Sequence, residues 1–288
     1  MVEIEIGSNL VSAGSFLVSW HGFFSFIAVA SAVYLVGRWA PMRGVSPDDI
    51  YAIAIWAIIG GIVGARVVHV VDNWDFYGHN AGQIIAIWSG GIGIWGGILG
   101  GFVAGAAYSA WAKYPVAVIA DLTAPALLFV QTIGRLGDIV NGEHCAKATD
   151  FFLGFNWTNP NSDARICDNG VGVAVQPVIV YEMTWNMLAL FIIWRLRGKL
   201  KPDGMIYALY LALYAAGRFA VSFAREDKVW TAGLQEAHFI ALVVLAVTIP
   251  LLAWKARFVS DEEGLQLATE PAQPRGTRAQ RRRRSRGR

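Results

Sequence analysis

The chain is 288 residues long, 55% hydrophobic and 16% charged, with a formal net charge of +3 and a mean hydropathy of +0.45. That balance excludes a soluble globular domain of this length and points to an integral membrane protein. Membrane lipids are expected partners and nucleic acid is not.

Seven windows lack most charges, and each is near the roughly 20 residues a helix needs to cross about 30 Å of hydrocarbon. The first, 15–37, carries His21 close to its start. The preceding Met1 to Leu10 holds two glutamates and no Lys or Arg, so the window does not read as a cleavable signal. The second, 51–71, has Gly60 and Gly64 four residues apart and puts Arg66 and His69 on one face at i and i+3. The third, 92–112, repeats glycine at 93, 97, 101 and 105, a face on which helices approach closely. An alternative use of bare backbone at Gly96 and Gly97 is to admit a lipid headgroup.

The fourth window, 116–134, runs straight into Arg135-Leu-Gly-Asp138-Ile-Val-Asn141-Gly142-Glu143-His144. Ionisable residues at membrane depth are costly without a partner or a wet cavity, so this run is the leading functional candidate. A long connection, about 138–177, follows and contains both cysteines, Cys145 and Cys167. A bridge between them and a pair of free thiols both fit. After the fifth window, 178–194, the sixth, 205–223, opens a face with Arg218, Ser222 and Arg225 at i, i+4 and i+7, followed by Glu226 and Asp227. The seventh is 237–254. The remaining 259–288 is polar, ends in an arginine run and reads as a disordered polybasic tail, either topogenic or held by anionic lipid.

Lys and Arg set the orientation. With the N-terminus outside, seventeen basic residues fall on the cytoplasmic side and four, Lys147, Arg165, Arg225 and Lys228, fall outside. The expected fold is all-α and integral to the membrane, with seven transmembrane helices within 1–258, an outer connection at 138–177 and a cytoplasmic C-terminus. Arg66, Arg135 and Arg218 lie within or at the ends of the windows and need a separate reason. Arginine's planar fork suits a bidentate grip on a phosphodiester, so Arg135 and Arg218 predict an anionic lipid headgroup. The competing uses are an ion pair of Arg218 with Asp138 or Glu143, and an ion pair or helix-end cap for Arg66. Taken alone, such a site binds, transports or reacts.

Gly134-Arg135-Leu-Gly137-Asp138-Ile-Val-Asn141-Gly142-Glu143 resembles the Gly-Arg-x-Gly-[Asn/Asp]-x-x-Asn-Gly-Glu signature of bacterial prolipoprotein diacylglyceryl transferases. Gly64-Ala-Arg66 with His69 and Asn73-Trp-Asp-Phe-Tyr77, Trp88 to Gly97, Gln176-Pro177 with Tyr181-Glu182, Tyr214 to Phe219, and Phe223 to Asp227 are similar to further elements of that family, over roughly residues 10 to 255. The resemblance implies an enzyme of the bacterial cytoplasmic membrane with its site toward the outer face. It implies transfer of the sn-1,2-diacylglyceryl group from phosphatidylglycerol to the lipobox cysteine of a prolipoprotein signal peptide, with no cofactor and no metal. It assigns Arg135, Arg218 and Glu143 to catalysis, and His21 joins them as a candidate on the strength of its own imidazole. Substrate binding falls to Arg135, Asp138, Asn141, Gly142, Arg66, Trp95, Gly96, Gly97, Tyr181 and Arg225. The alternatives are a paralogue with another phospholipid or acceptor and a lipid-binding or transport protein.

Four departures bear on mechanism. His21 stands where many members carry Tyr, Trp95 and Gln176 stand where many carry His, and Ser222 stands where a Glu is common. A base on the third helix is therefore absent. His21 is the candidate base, with His144 competing, because an imidazole titrates near neutral pH. The bland role for His21 is to hydrogen bond where a tyrosine hydroxyl sits elsewhere.

Overall fold

A computed structural model describes residues 1–13, 16–87, 91, 93–142 and 144–259. In chain order, β1 (Val2–Ile4), β2 (Asn9–Ala13) and β3 (Phe16–Ser19) precede α1 (Trp20–Trp39), α2 (Pro47–Asp72), the single turn α3 (Trp74–Tyr77) and α4 (Ile94–Trp111). Then come α5 (Val116–Asn141), β4 (Phe155–Trp157), α6 (Val178–Leu196), β5 (Leu200–Lys201) and α7 (Met205–Ser222). The described part ends with β6 (Val229–Thr231), β7 (Leu234–Gln235), α8 (Glu236–Lys255) and β8 (Arg257–Phe258). The tail expected over 259–288 lies outside the described residues beyond Val259.

Every apolar window centres on a helix, and six of them, α1, α2, α5, α6, α7 and α8, are long and apolar enough to cross a membrane. The 18-residue α4 is not among those six. Two expectations need correction at their edges. The first helix starts at Trp20 rather than at 15, because Phe16–Ser19 pairs with β2 in an antiparallel hairpin. The fourth helix continues seven residues past the apolar window to Asn141, so the long connection begins after Asn141 and not at Asp138. The helix continues because Arg135 and Asp138 find partners that offset their burial.

The chain forms two compact units. The first comprises 1–35 and, within the described range, 120–259; the second comprises 36–119. In the first unit, one apolar cluster joins β1 and β4 through Ile4, Phe155 and Trp157 to Val178 and Ile179 of α6 and Val221 of α7. A second cluster joins Ala124 and Leu128 of α5, Ala189 and Ile193 of α6, and Met205, Ile206 and Tyr210 of α7. Along α6 and α7 the polar residues Glu182, Asn186 and Arg218 lie between these clusters. Asp121, buried early in α5, is structural: its Oδ2 accepts from the Gly204 amide at 2.8 Å and its Oδ1 from the Tyr207 amide at 2.9 Å, capping the start of α7.

In the second unit α2 and α4 meet along glycine. A Cβ at Gly60 would strike Ala104, and one at Gly64 or Gly96 would strike the other residue's carbonyl oxygen. Gly100 is pressed in the same way onto Gly60. The tightest contacts therefore run through Gly96 and Gly100, while the stripe expected at 93, 97, 101 and 105 also faces α2, with a Cβ there 3.0 to 3.6 Å from Val68, Ala65 and Ala57. Gly96 is thus occupied by helix contact.

Cys145 and Cys167 form a disulfide across 22 positions. Closing a loop of that length removes chain entropy from the unfolded state, on the order of 3 kcal/mol. Replacing both cysteines with serine should lower Tm in detergent by about 5–10 °C, read by thermal unfolding of the purified variant. An unchanged Tm would mean that the hydrogen bonds of the neighbouring loop hold it without the bridge.

Candidate active site

Four helices of the first unit bring the site together. Arg135 and Asp138 lie at i and i+3 on the last turns of α5, Glu182 lies one turn into α6, Arg218 one turn before the end of α7, and His21 is the second residue of α1. Gly137 makes the α1 contact possible. A Cβ there would lie 2.7 Å from the His21 Cα and 3.0 Å from the Trp20 carbonyl oxygen, so any larger residue would push the His21 backbone off α5. At Gly217, beside Arg218, a Cβ would strike the Trp185 indole, whose Nε1 donates to the Leu213 carbonyl at 2.7 Å.

The charged groups interlock. Glu182 bridges two arginines: its Oε2 lies 2.5 Å from Arg135 Nη2 and its Oε1 accepts from Arg218 Nη1 at 2.7 Å. Asp138 is divided in the same way, its Oδ2 accepting from Arg135 Nη1 at 2.8 Å and its Oδ1 facing His21 Nδ1 at 2.6 Å. Arg218 Nη2 lies 3.6 Å from Asp227 Oδ2, and Asp227 also receives the fork of Arg225, from Nε at 2.7 Å and from Nη2 at 3.0 Å. Three arginines, two aspartates and one glutamate so form one chain of ion pairs, a geometry in which each buried charge has an opposite neighbour. The pairing of Arg218 is a correction: among the described residues its partners are Glu182 and Asp227 rather than Asp138, and the expected pairing with Glu143 lies outside the described residues. Ser222, at the position where a family glutamate is common, is fully buried and donates its hydroxyl to the Arg218 carbonyl at 2.7 Å.

The two histidines are held differently. A carboxylate accepts, so His21 donates from Nδ1 to Asp138, and in the neutral ring the lone pair is then on Nε2. That side chain is 42% exposed. Arginine only donates, so the 2.5 Å contact between Arg135 Nη1 and His144 Nε2 requires an unprotonated Nε2 and leaves the ring proton on Nδ1. Burial pushes the His144 imidazole down to about 4, the Asp138 charge opposing this and the Arg135 and Arg225 charges adding to it. For Asp227, burial works upward, yet the Arg225 hydrogen bond and the Arg225 and Arg218 charges hold the carboxyl below the usual range.

The remaining predicted residues divide. Asn141 is buried at the end of α5, where its carbonyl accepts from the Ser162 hydroxyl at 2.8 Å and its amide reaches Asp163 at 3.5 Å. Gly142 adopts φ +77°, and a Cβ there would meet the Ser162 hydroxyl at 2.6 Å, so the turn after α5 needs glycine twice over. Tyr181 donates to Gln176 Oε1 at 2.8 Å, and Gln176 Nε2 donates to the Thr149 hydroxyl at 3.0 Å. This relay borders a cleft of about 570 Å³ lined also by Lys147, Val221, Phe223 and Ala224. Arg66, Gly96 and Gly97 belong to the second unit. There Arg66 donates from Nε, Nη1 and Nη2 to the carbonyls of Ile84, Gly91 and Gln83 at 2.7, 2.8 and 2.5 Å, and it lies over the Tyr77 ring. It clamps the segment after α3. Glu143 and the Trp95 side chain lie outside the described residues.

Glu182 and Asp227 are the partners that sequence reasoning left unassigned. An acid within a 19-residue apolar helix was the available signal for Glu182. Asp227 carries no comparable signal, because it follows α7 among other charges.

The chain is similar to known proteins over most of its length. The family model described as prolipoprotein diacylglyceryl transferase matches residues 8–254. A Dehalococcoides mccartyi protein named phosphatidylglycerol–prolipoprotein diacylglyceryl transferase is 34% identical over 260 residues, covering 89% of this chain and 96% of that one. Proteins of the same name from Listeria welshimeri and Acaryochloris marina are each 31% identical, over 247 and 250 residues, covering 85% and 86% of this chain and 88% and 90% of theirs.

Proposed function

This chain belongs to the prolipoprotein diacylglyceryl transferase family, and from that premise we propose a role for each member of its ion-pair network. The enzyme is a multi-pass membrane transferase that moves the diacylglyceryl group of phosphatidylglycerol to a prolipoprotein in lipoprotein maturation. The acceptor is the thiol of the lipobox cysteine, and the leaving group is glycerol phosphate.

The observation that supports this reading best is Glu182 holding Arg135 and Arg218 together beside the His21–Asp138 pair. The thiolate is the nucleophile, so the thiol proton must leave. His21 Nε2 takes it, with Asp138 fixing the tautomer and balancing the imidazolium that results. Sulfur then bonds to the diacylglyceryl carbon that carries the phosphate. The carbon–oxygen bond breaks, and its electron pair departs on the phosphate oxygen. Arg135 and Arg218, prealigned by Glu182, offset the charge that develops there. Glu143, Asn141 and Gly142 complete the headgroup end, and Tyr181 borders the cleft that receives the peptide. Within the second unit, Arg66 acts by holding the segment after α3.

In this reading the helices make seven crossings, with the N-terminus and the disulfide-bearing connection outside the bacterial cytoplasmic membrane. The polybasic tail 259–288 lies inside, apart from the catalytic domain 1–258. The test is purified protein with phosphatidylglycerol vesicles and a lipobox peptide, run beside its Cys-to-Ser form. The expected result is a diacylglyceryl mass increment on the thiol peptide alone, with glycerol phosphate released in equal amount. Folded protein that yields neither product would overturn the reading.

A further inference from the structure

Two hydrogen-bond donors stand unmet in the charged network. His144 Nδ1 and Arg225 Nη1 are buried, and neither has a hydrogen-bond partner among the described residues. Both are donors of necessity. His144 must carry its proton on Nδ1 because Nε2 accepts from Arg135, and a guanidinium nitrogen has no acceptor to offer. This excludes His144 as the base in this arrangement, since its one lone pair is taken. Leaving a buried donor unsatisfied costs on the order of 1–3 kcal/mol, more for a charged group, and two such donors in one network call for an acceptor.

The chain brings the two together. Ala146 bridges Arg225 in antiparallel fashion, and the Glu226 amide donates to the Cys145 carbonyl at 3.2 Å. The disulfide and Asn169, which donates to Ala146 O at 2.9 Å and Glu226 Oε2 at 2.8 Å, brace the same strand pair. Arg225 is further fixed by its fork on Asp227, which leaves Nη1 as the outlying donor.

Resting on the transferase reading above, we propose that His144 Nδ1–H and Arg225 Nη1–H together receive a non-bridging oxygen of the phosphate, making His144 a substrate-contacting donor. Arg135 and Arg218 already spend some of their donors on Asp138, Glu182, His144 and Asp227, so His144 and Arg225 add donors to those the two arginines have left for the phosphate. The anion has two sources, the lipid phosphodiester and the free glycerol phosphate.

Both are measured on His144→Asn, whose amide offers a donor near the Nδ1 position, on His144→Phe, which offers none, and on Arg225→Lys. Calorimetric titration with sn-glycerol 1-phosphate reads the free anion, and the KM for phosphatidylglycerol vesicles reads the lipid. Loss of one hydrogen bond to a charged acceptor should weaken binding roughly tenfold to a hundredfold in His144→Phe and Arg225→Lys, with His144→Asn within a few fold of the parent. A loss in both measurements assigns the donors to the phosphate throughout; a loss in the titration alone assigns them to the leaving group. Unchanged values in both, from variants that keep the parent Tm, would overturn the proposal. A parent protein that binds glycerol phosphate through His144 yet transfers nothing would sink the transferase reading and leave this one standing.

Discussion

Arg135→Ala is expected to abolish diacylglyceryl transfer, lowering turnover by roughly a hundredfold to a thousandfold or more, and to destabilise the fold as well. The side chain serves Asp138, Glu182 and His144 at once, at 2.8, 2.5 and 2.5 Å. Its removal leaves two buried carboxylates each short of a cation, and breaking one such pair costs about 3–5 kcal/mol. Two readouts separate the effects. Arg135→Lys keeps the charge but not the planar reach to three partners, so it should recover much of the Tm and little of the turnover. Near-parental turnover in either variant would reduce Arg135 to a structural ion pair and return the phosphate to Arg218 and its neighbours.

Asp138→Asn is expected to lower kcat by about 10²–10⁴-fold while leaving KM for phosphatidylglycerol within a few fold. The aspartate fixes which nitrogen of His21 carries the proton, and an amide that presents its NH₂ to Nδ1 would force the lone pair onto the wrong side of the ring. His21→Phe should match it, and the double variant should be no worse than either single one, because the two act as a unit. Full activity in His21→Phe would remove the histidine base. It would leave phosphate departure, driven by the arginines, as the main source of acceleration.

The helices were legible because burial in lipid demands a run of apolar residues of fixed length, which is a local property of the chain. The run from Arg135 to Glu143 was legible for the same reason inverted: charges at the edge of an apolar run stand out. What failed was the boundary at 134, since a hydropathy window stops at the first arginine whereas the helix stops where its backbone loses partners, at Asn141. The expected glycine face does pack against α2, but spacing alone does not say that Gly96 and Gly100 beside it make the tighter contacts.

Taken alone, the sequence determined that this is a multi-pass membrane protein and which family it belongs to, and it singled out Arg135, Asp138, Arg218, Arg225 and His21 as candidates for its chemistry. Only the tertiary structure decided how that inventory is wired. Glu182 joins Arg135 to Arg218, Asp138 serves His21, and the Cys145–Cys167 bridge exists. The physical reason is range. Apolar burial is set by contiguous residues, whereas an ion pair is set by distances of 2.5 to 3.6 Å between side chains more than a hundred positions apart, such as His21 and Asp138, and no local pattern encodes those distances.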